Sequence, residues 1–448
     1  MNMMLSILAF GMVVAFMTLI MTKRVSALMA LILVPLLFAL LATPLTGIDP
    51  AGLGKMMMAG VRELAPTGVM LVFAILYFGL MIDVGLFDSL IKAIVRIVDG
   101  DPVKILIGTA VLALVVSLDG DGATTYMITT AAMLPLYRHM KMDVRMMACI
   151  IIMAGAVMNV LPWGGPTARV VSALKLDAAE VFVPLIGPMI LTALWVIFVA
   201  WRFGVRERAR LAKLPADAVD EHASAVEILA EDKDSHVEAR RPGLIWFNFL
   251  LTAALMAGLV LEVMPLAILF MLAFAVAMSV NYPRLQDQRE RFSAHAGNAL
   301  AVGGLIFAAG IFTGILSGTK MVDAMAATVT DAIPPAWGPY MAPIAAALSA
   351  PFTFFISNDA FYFGMLPILA ETGSHYGLSA AEIGRASLVG QQVHLLSPLV
   401  ASTYLLVGFS GIEFGEHQRF TLKWAVGSFF VFFLASVALG VFPFAAHV

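Results

Sequence analysis

An all-α protein that crosses the membrane many times is what this sequence predicts, on three observations. Apolar residues make up 61% of the 448-residue chain and charged residues only 13%, where an ordinary soluble domain carries about 25% charged residues. The apolar residues come in long uncharged blocks, beginning with MMLSILAFGMVVAFMTLIM over residues 3–21. A helix of that length reaches about 28 Å, close to the hydrocarbon layer of a bilayer. Finally, blocks interrupted by glycine, proline and polar residues recur in the same order on both sides of a charged central segment. That pattern predicts two inverted-topology repeats, each of five spans plus one re-entrant hairpin.

The spans fall at 3–21, 25–43, 66–83, 146–170, 183–201, 243–262, 264–281, 298–317, 386–408 and 424–444. The first has no basic start and no small-residue cleavage site, so it reads as a retained span and not a secretory signal. Regions 103–137 and 336–369 are apolar at both ends and polar in the middle. The limbs 103–117 and 123–137 are each about 22 Å as helices, too short to cross alone. Both regions are therefore read as hairpins with tips at membrane depth, where irregular backbone is tolerated only beside protein or a wet cavity. With Lys23 and Arg24 taken as cytoplasmic, and both hairpins returning to their starting side, only six basic residues fall outside the cytoplasmic loops: Lys55, Arg62, Arg169, Lys175, Lys320 and Arg385. This is the expected positive-inside bias, and both termini come out extracytoplasmic.

Residues 202–241 form a mixed-charge cytoplasmic linker between a first repeat, 1–201, and a second, 242–448. Met133-Leu134-Pro135 recurs as Met365-Leu366-Pro367, an offset of 232. At that offset Pro166 matches Pro398 and Asn159 matches Gln391. GLFDSL at 85–90 resembles KMVDAM at 320–325. Five spans is an odd number, so the second half enters the membrane upside down. The lone Cys149 excludes an intrachain disulfide and a cysteine metal cluster, and no nucleic-acid partner is expected. Gly310, Gly314 and Gly318 have the spacing of a close helix crossing.

Four breaks hold the candidate site. SLDGDGATTY (117–126) offers Asp119, Asp121, Thr124 and Thr125. NVLPWGGPTAR (159–169) offers Asn159, Gly164, Gly165, Thr167 and Arg169, with Trp163 read as packing. FISNDAFYFG (355–364) offers Ser357, Asn358 and Asp359. GQQVHLLSPLVAST (390–403) offers Gln391, His394 and Ser397. Prolines and glycines there free backbone groups that a ligand can satisfy. A carboxylate facing lipid costs about 2.5–3.5 kcal/mol, so the three aspartates must face a polar cavity, a cation or a proton. Few basic residues lie nearby in sequence to pair with them. Arg169 either anchors at the outer interface or meets an anionic substrate. His394 either closes a local hydrogen bond or contacts substrate or proton.

These stretches, SLDGDGATTYMIT, NVLPWGGPTARV, FISNDAFYFGMLPILAE and GQQVHLLSPLVASTYLLVG, resemble the citrate–divalent-metal:proton symporter family of bacteria, within the ion-transporter superfamily. The resemblance covers nearly the whole chain. It implies a multi-pass protein of the bacterial cytoplasmic membrane, a homodimer, and elevator-type movement. It also implies proton-coupled uptake of citrate complexed with Mg²⁺ or Ca²⁺, the metal travelling as part of the substrate and not as a resident cofactor. Sodium-coupled relatives carry Ser-Asn-Thr at both tips. Here the second tip reads Ser357-Asn358-Asp359 and the first has no such triplet, which favours protons over sodium. Under this reading Thr124, Thr125, Asn159, Gly164, Gly165, Thr167, Ser357, Asn358, Gln391, His394 and Ser397 bind substrate. Asp119, Asp121 and Asp359 couple the proton or hold the metal, whose divalent ions prefer oxygen donors. Three alternatives stay open: a sodium- or proton-coupled carrier of another di- or tricarboxylate or organic anion, an integral membrane Mg-dependent phosphotransferase using the DGDG stretch, and a channel.

Overall fold

The computed structural model describes residues 2–22, 24–46, 50–86, 94, 100–120, 122–213, 239–261, 263–332, 334–355, 358–397 and 400–446. Among them the regular structure is helical throughout. Six of the described helical segments are long and apolar enough to cross a membrane: Gly52–Asp83, Pro102–Asp119, Ala178–Leu211, Pro242–Leu259, Ala299–Gly318 and Phe414–Ala438.

The first half opens with α1 (Asn2–Met21), α2 (Ala27–Thr46) and the 34-residue α3 (Pro50–Asp83). The apolar block 66–83 is thus only the latter part of a longer helix. Asp101 caps α4 (Pro102–Val116) by accepting the Val103 N–H at 3.0 Å, with proline at the first helical position where its missing N–H costs nothing. A 3₁₀ turn, Ser117–Asp119, and Gly120 at φ +77° then reverse the chain into α5 (Gly122–His139). With its 3₁₀ turn the first limb is 18 residues, about 27 Å, so it is longer than the sequence reading allowed, yet it turns back. Next come α6 (Val144–Met158), a break, α7 (Gly165–Leu174), α8 (Ala178–Phe182) and α9 (Ile186–Leu211). Residues 202–211 of the charged segment extend α9, and 214–238 lie outside the described residues.

The second half runs α10 (Ile245–Val260), α11 (Leu266–Asn281), α12 (Leu285–Gly318), α13 (Met321–Ala332) and α14 (Met341–Phe355). A π-helical turn, Ala360–Met365, leads into α15 (Leu366–Ser374). Then follow α16 (Ala380–Ser387), α17 (Gln391–His394), a second break, α18 (Ala401–Ser410) and α19 (Phe414–Ala438). The element order echoes the first half, down to α12 matching the 34 residues of α3. The counterpart of α13 near 87–90 lies outside the described residues.

Hydrogen bonds fix where each hairpin opens. Asp101, before α4, pairs with Arg208 at 2.6 Å. After α5, the Asp143 N–H donates to Glu207 at 2.9 Å, and Arg210 donates to the Lys141 carbonyl. Both ends of the first hairpin therefore meet one turn of α9. Arg208 holds the Asp101 carboxyl below the usual carboxylate range. Arg145 then pairs with Glu416 in the first turn of α19. The second hairpin's ends also meet, because Gly338 lies against the Tyr376 ring. They sit beyond the other end of α19: the Ala446 N–H donates to the Pro339 carbonyl at 2.7 Å, and Tyr340 packs on Phe444. A 25-residue α19 separates these ends by about 37 Å, so the two hairpins open at opposite ends of the molecule.

α3 packs along α12, with α2 and α11 beside them. Gly60 meets Gly310 and Gly314 backbone to backbone, and Gly318 lies against Met56, so the glycine spacing marks a close crossing.

Candidate functional site

A cavity of about 180 Å³ lies where the four breaks meet, smaller than the roughly 300–1,000 Å³ of pockets for drug-sized ligands. The first hairpin tip supplies Gly120, Gly122 and Thr125. The first break supplies Asn159, Gly165 and Arg169, the second tip Asn358, and the second break His394. Thr124 is half-buried beside Thr125 but is not on the wall. Asp121 and Ser357 lie outside the described residues.

The amides form one network. The Asn159 Nδ2 donates to Gln391 Oε1 at 3.2 Å. Gln391 Nε2 in turn donates to Asn358 Oδ1 at 3.1 Å and to the Tyr362 hydroxyl at 2.8 Å. Asn159 and Gln391, matched by the 232-residue offset, thus touch each other. Gln391 is buried behind the wall and orients the two asparagines that reach the cavity.

The charges are arranged less simply than the sequence suggested. The Arg169 Nε donates to Asp359 Oδ1 at 2.6 Å, with side chains 20% and 16% exposed. Asp359 therefore has a base beside it, one that sequence distance concealed. Asp359 also immediately precedes the π turn, a distortion common at functional sites. Asp119 is 7% exposed and accepts from Thr125 at 3.4 Å. Among the described residues no three Asp, Glu, His or Cys side chains group as a metal site, so neither Asp119 nor Asp359 belongs to such a group there.

Several expected binders instead brace the breaks. Thr167 donates to the Val160 carbonyl at 2.8 Å, and Ser397 to the Phe354 carbonyl at 2.6 Å. Gly164 starts α7 with no room for a Cβ against the Asn159 carbonyl. The His394 Nδ1 lies 2.6 Å from the Thr353 carbonyl. A carbonyl only accepts, so Nδ1 carries the proton and Nε2 is the ring's remaining titratable atom. Trp163 is the counterpart in the first half: its indole N–H donates to the Leu118 carbonyl at 2.8 Å, while its ring packs on Phe78 and Phe270. Gly120 is needed opposite it, since a Cβ would come within 2.9 Å of the indole. Trp163→Phe keeps the packing and removes the hydrogen bond. A neutral hydrogen bond is worth about 0.5–1.5 kcal/mol, so the transport KM is expected to rise about 2- to 10-fold with normal yield of folded protein. An unchanged KM would leave Trp163 a packing residue only.

A family model described as "Citrate transporter" matches residues 12–390. The chain belongs to the citrate transporter family. Over 98% of its length the transporter is 58% identical to the whole of a Bacillus subtilis (strain 168) protein named "Citrate transporter". Over 98% it is also 49% identical to 99% of that organism's "Mg(2+)/citrate complex secondary transporter". Among solved structures, the Alcanivorax borkumensis YdaH transporter is similar in fold, at a TM-score of 0.57 and 16% identity, over 92% of this chain and 99% of that one. The family and these relatives are transporters and not enzymes, which removes the phosphotransferase alternative.

The transporter's cavity also uses residues the sequence reading passed over: Ser117, Tyr126, Met158 and Ser402 on the wall, and Tyr362 behind it. Ser117 and Tyr126 bracket the DGDG stretch within the same quoted motif, and Tyr362 sits in FISNDAFYFG. Their position inside the breaks was the available signal.

Proposed function

We propose that this transporter takes up citrate complexed with a divalent cation, together with protons, by secondary active transport. The balance of charge at the cavity carries the proposal. Two described carboxylates, Asp119 and Asp359, stand at or beside the wall, and the one guanidinium there, Arg169, is already paired. A bare tricarboxylate would enter a site with no net positive charge, so cations must accompany it. A relative named for the Mg²⁺/citrate complex supports the choice of cargo.

In this reading a citrate carboxylate takes over the Arg169 guanidinium and frees Asp359 to face the metal or a proton. Asn159, Asn358 and Thr125 donate to the remaining carboxylates, with Ser357 and Thr124 adjoining. Gly120, Gly122 and Gly165 let the ligand approach backbone. At least one of Asp119, Asp121 and Asp359 carries the proton. The metal is cargo; citrate supplies most of its oxygen ligands, which suits a wall poor in carboxylate clusters.

The repeated element order and the opposite hairpin openings support reading 1–201 and 242–448 as inverted repeats joined by a cytoplasmic linker, 202–241. The broken helices and hairpins would ride as a unit against α3 and α12, in a homodimer in the bacterial cytoplasmic membrane. The Lys175–Glu63 pair at 2.9 Å joins α7 to α3 and would have to release during that movement.

Radiolabelled citrate uptake into proteoliposomes tests this. Chelator is expected to stop uptake, Mg²⁺ or Ca²⁺ to restore it, an inward proton gradient to drive accumulation, and replacement of sodium by choline to change nothing. Full uptake in chelator would refute the metal complex. Loss in choline would make it a sodium-coupled carrier.

A further inference from the structure

We propose that a cleft at the start of α19 binds the headgroup of an anionic phospholipid of the phosphatidylglycerol type. The cleft is open, encloses about 500 Å³, and is lined by Arg145, Glu413, Glu416, Arg419, Phe420 and Lys423. It lies at the same end as the Asp101–Arg208 and Glu207–Arg210 pairs, the end where the basic loops gather.

Three observations give the ligand its chemistry. First, the bases are differently engaged. Arg145 is held by Asp143 at 2.7 Å and Glu416 at 2.8 Å and stacks on Phe420 at 5.5 Å. Arg419 and Lys423 have no carboxylate partner among the described residues. The Lys423 Nζ instead lies 5.9 Å from the Phe420 ring and 5.5 Å from the Trp424 ring, a cation held over aromatics at a membrane interface. Two unpaired cations one helical turn apart suit a phosphate.

Second, an apolar track leads from the cleft into the bilayer. Arg419, Lys423, Val426 and Phe430 share one face of α19 by helical spacing, with Leu422 beside them. Leu422, Val426 and Phe430 are 43%, 37% and 54% exposed. The track from Arg419 to Phe430 is about 16 Å long. A free phosphate would have no use for it, whereas acyl chains would lie along it.

Third, Glu413 and Glu416 rim the cleft. Carboxylates accept hydrogen bonds and repel a bare phosphate, so a headgroup that also carries hydroxyl donors, as glycerol does, fits better than phosphatidic acid. A lipid seated there would tie α19 to α6, whose far end carries Asn159 into the cavity.

Native mass spectrometry of the detergent-solubilised full chain tests this with phosphatidylglycerol, phosphatidylcholine and soluble glycerol 3-phosphate. Phosphatidylglycerol is expected to be retained at least fivefold more than phosphatidylcholine, with glycerol 3-phosphate a weak competitor. Arg419→Gln/Lys423→Gln should bring phosphatidylglycerol down to the phosphatidylcholine level. Arg289→Gln, an exposed arginine on α12, should keep the preference. Either a preference that survives the double variant or one lost equally in Arg289→Gln would overturn the assignment. Competition by glycerol 3-phosphate as strong as by lipid would overturn it too, showing a soluble-phosphate site.

Discussion

Arg169→Leu is expected to reduce citrate uptake at least 100-fold and to destabilise the protein. The Asp359 carboxylate, 16% exposed, would be left without the ion-pair partner it has among the described residues, and breaking a buried pair on one side costs about 3–5 kcal/mol. The double variant Arg169→Leu/Asp359→Asn removes the stranded charge, so thermal stability should recover while uptake does not, because no guanidinium remains for the substrate. Asp359→Asn alone has the opposite character. It leaves Arg169 unneutralised in the cavity, so metal-free citrate should bind more tightly than in the parent, and uptake should lose part of its dependence on metal and on pH. Binding by calorimetry with and without chelator, beside uptake across pH, reads these outcomes. An Arg169→Leu protein retaining more than a tenth of parental uptake would show that the substrate does not depend on this side chain.

Gly60→Val is expected to remove nearly all folded protein from the membrane. A Cβ at Gly60 would collide with the Gly310 carbonyl, and one at Gly314 with the Met56 carbonyl. These are backbone obstacles on both sides, so no side chain can swing away, and α3 and α12 would have to separate. Overpacking ordinarily costs about 1–3 kcal/mol and occasionally more. Here the yield of monodisperse protein by size-exclusion chromatography should fall at least tenfold, and Gly314→Val should behave alike. Gly297→Ala, on the same α12 with nothing within 4 Å, should be neutral or slightly stabilising, since a mid-helix glycine costs up to about 1 kcal/mol relative to alanine.

Much of the architecture could be read from local chemistry. SLDGDG and NVLPWGGP are breaks because glycine and proline cannot continue a helix at low cost, and such composition within apolar blocks is visible without any contact information. Gly310, Gly314 and Gly318 announced a close crossing for the same reason. What escaped were relationships between distant residues. Arg169 and Asp359 are 190 positions apart, and nothing in either neighbourhood says that one neutralises the other; sequence distance made Asp359 look short of bases. Thr167 and Ser397 looked like ligand donors because a hydroxyl at a break suits that task, but carbonyls take their hydrogen bonds, Val160 within the same break for Thr167 and Phe354 at the end of α14 for Ser397. Asn159 and Gln391 lie between these cases, since their shared offset was legible but their direct bond was not. Helix ends also moved: α19 begins at Phe414, ten residues before its apolar block, because its first turns run through the charged interface.

The opposed openings of the two hairpins mean that the two ends of the molecule display unrelated parts of the chain, one rim near Lys141 and the other near Trp337 and Tyr376. A binder shaped to one of these rims accordingly has no purchase on the other.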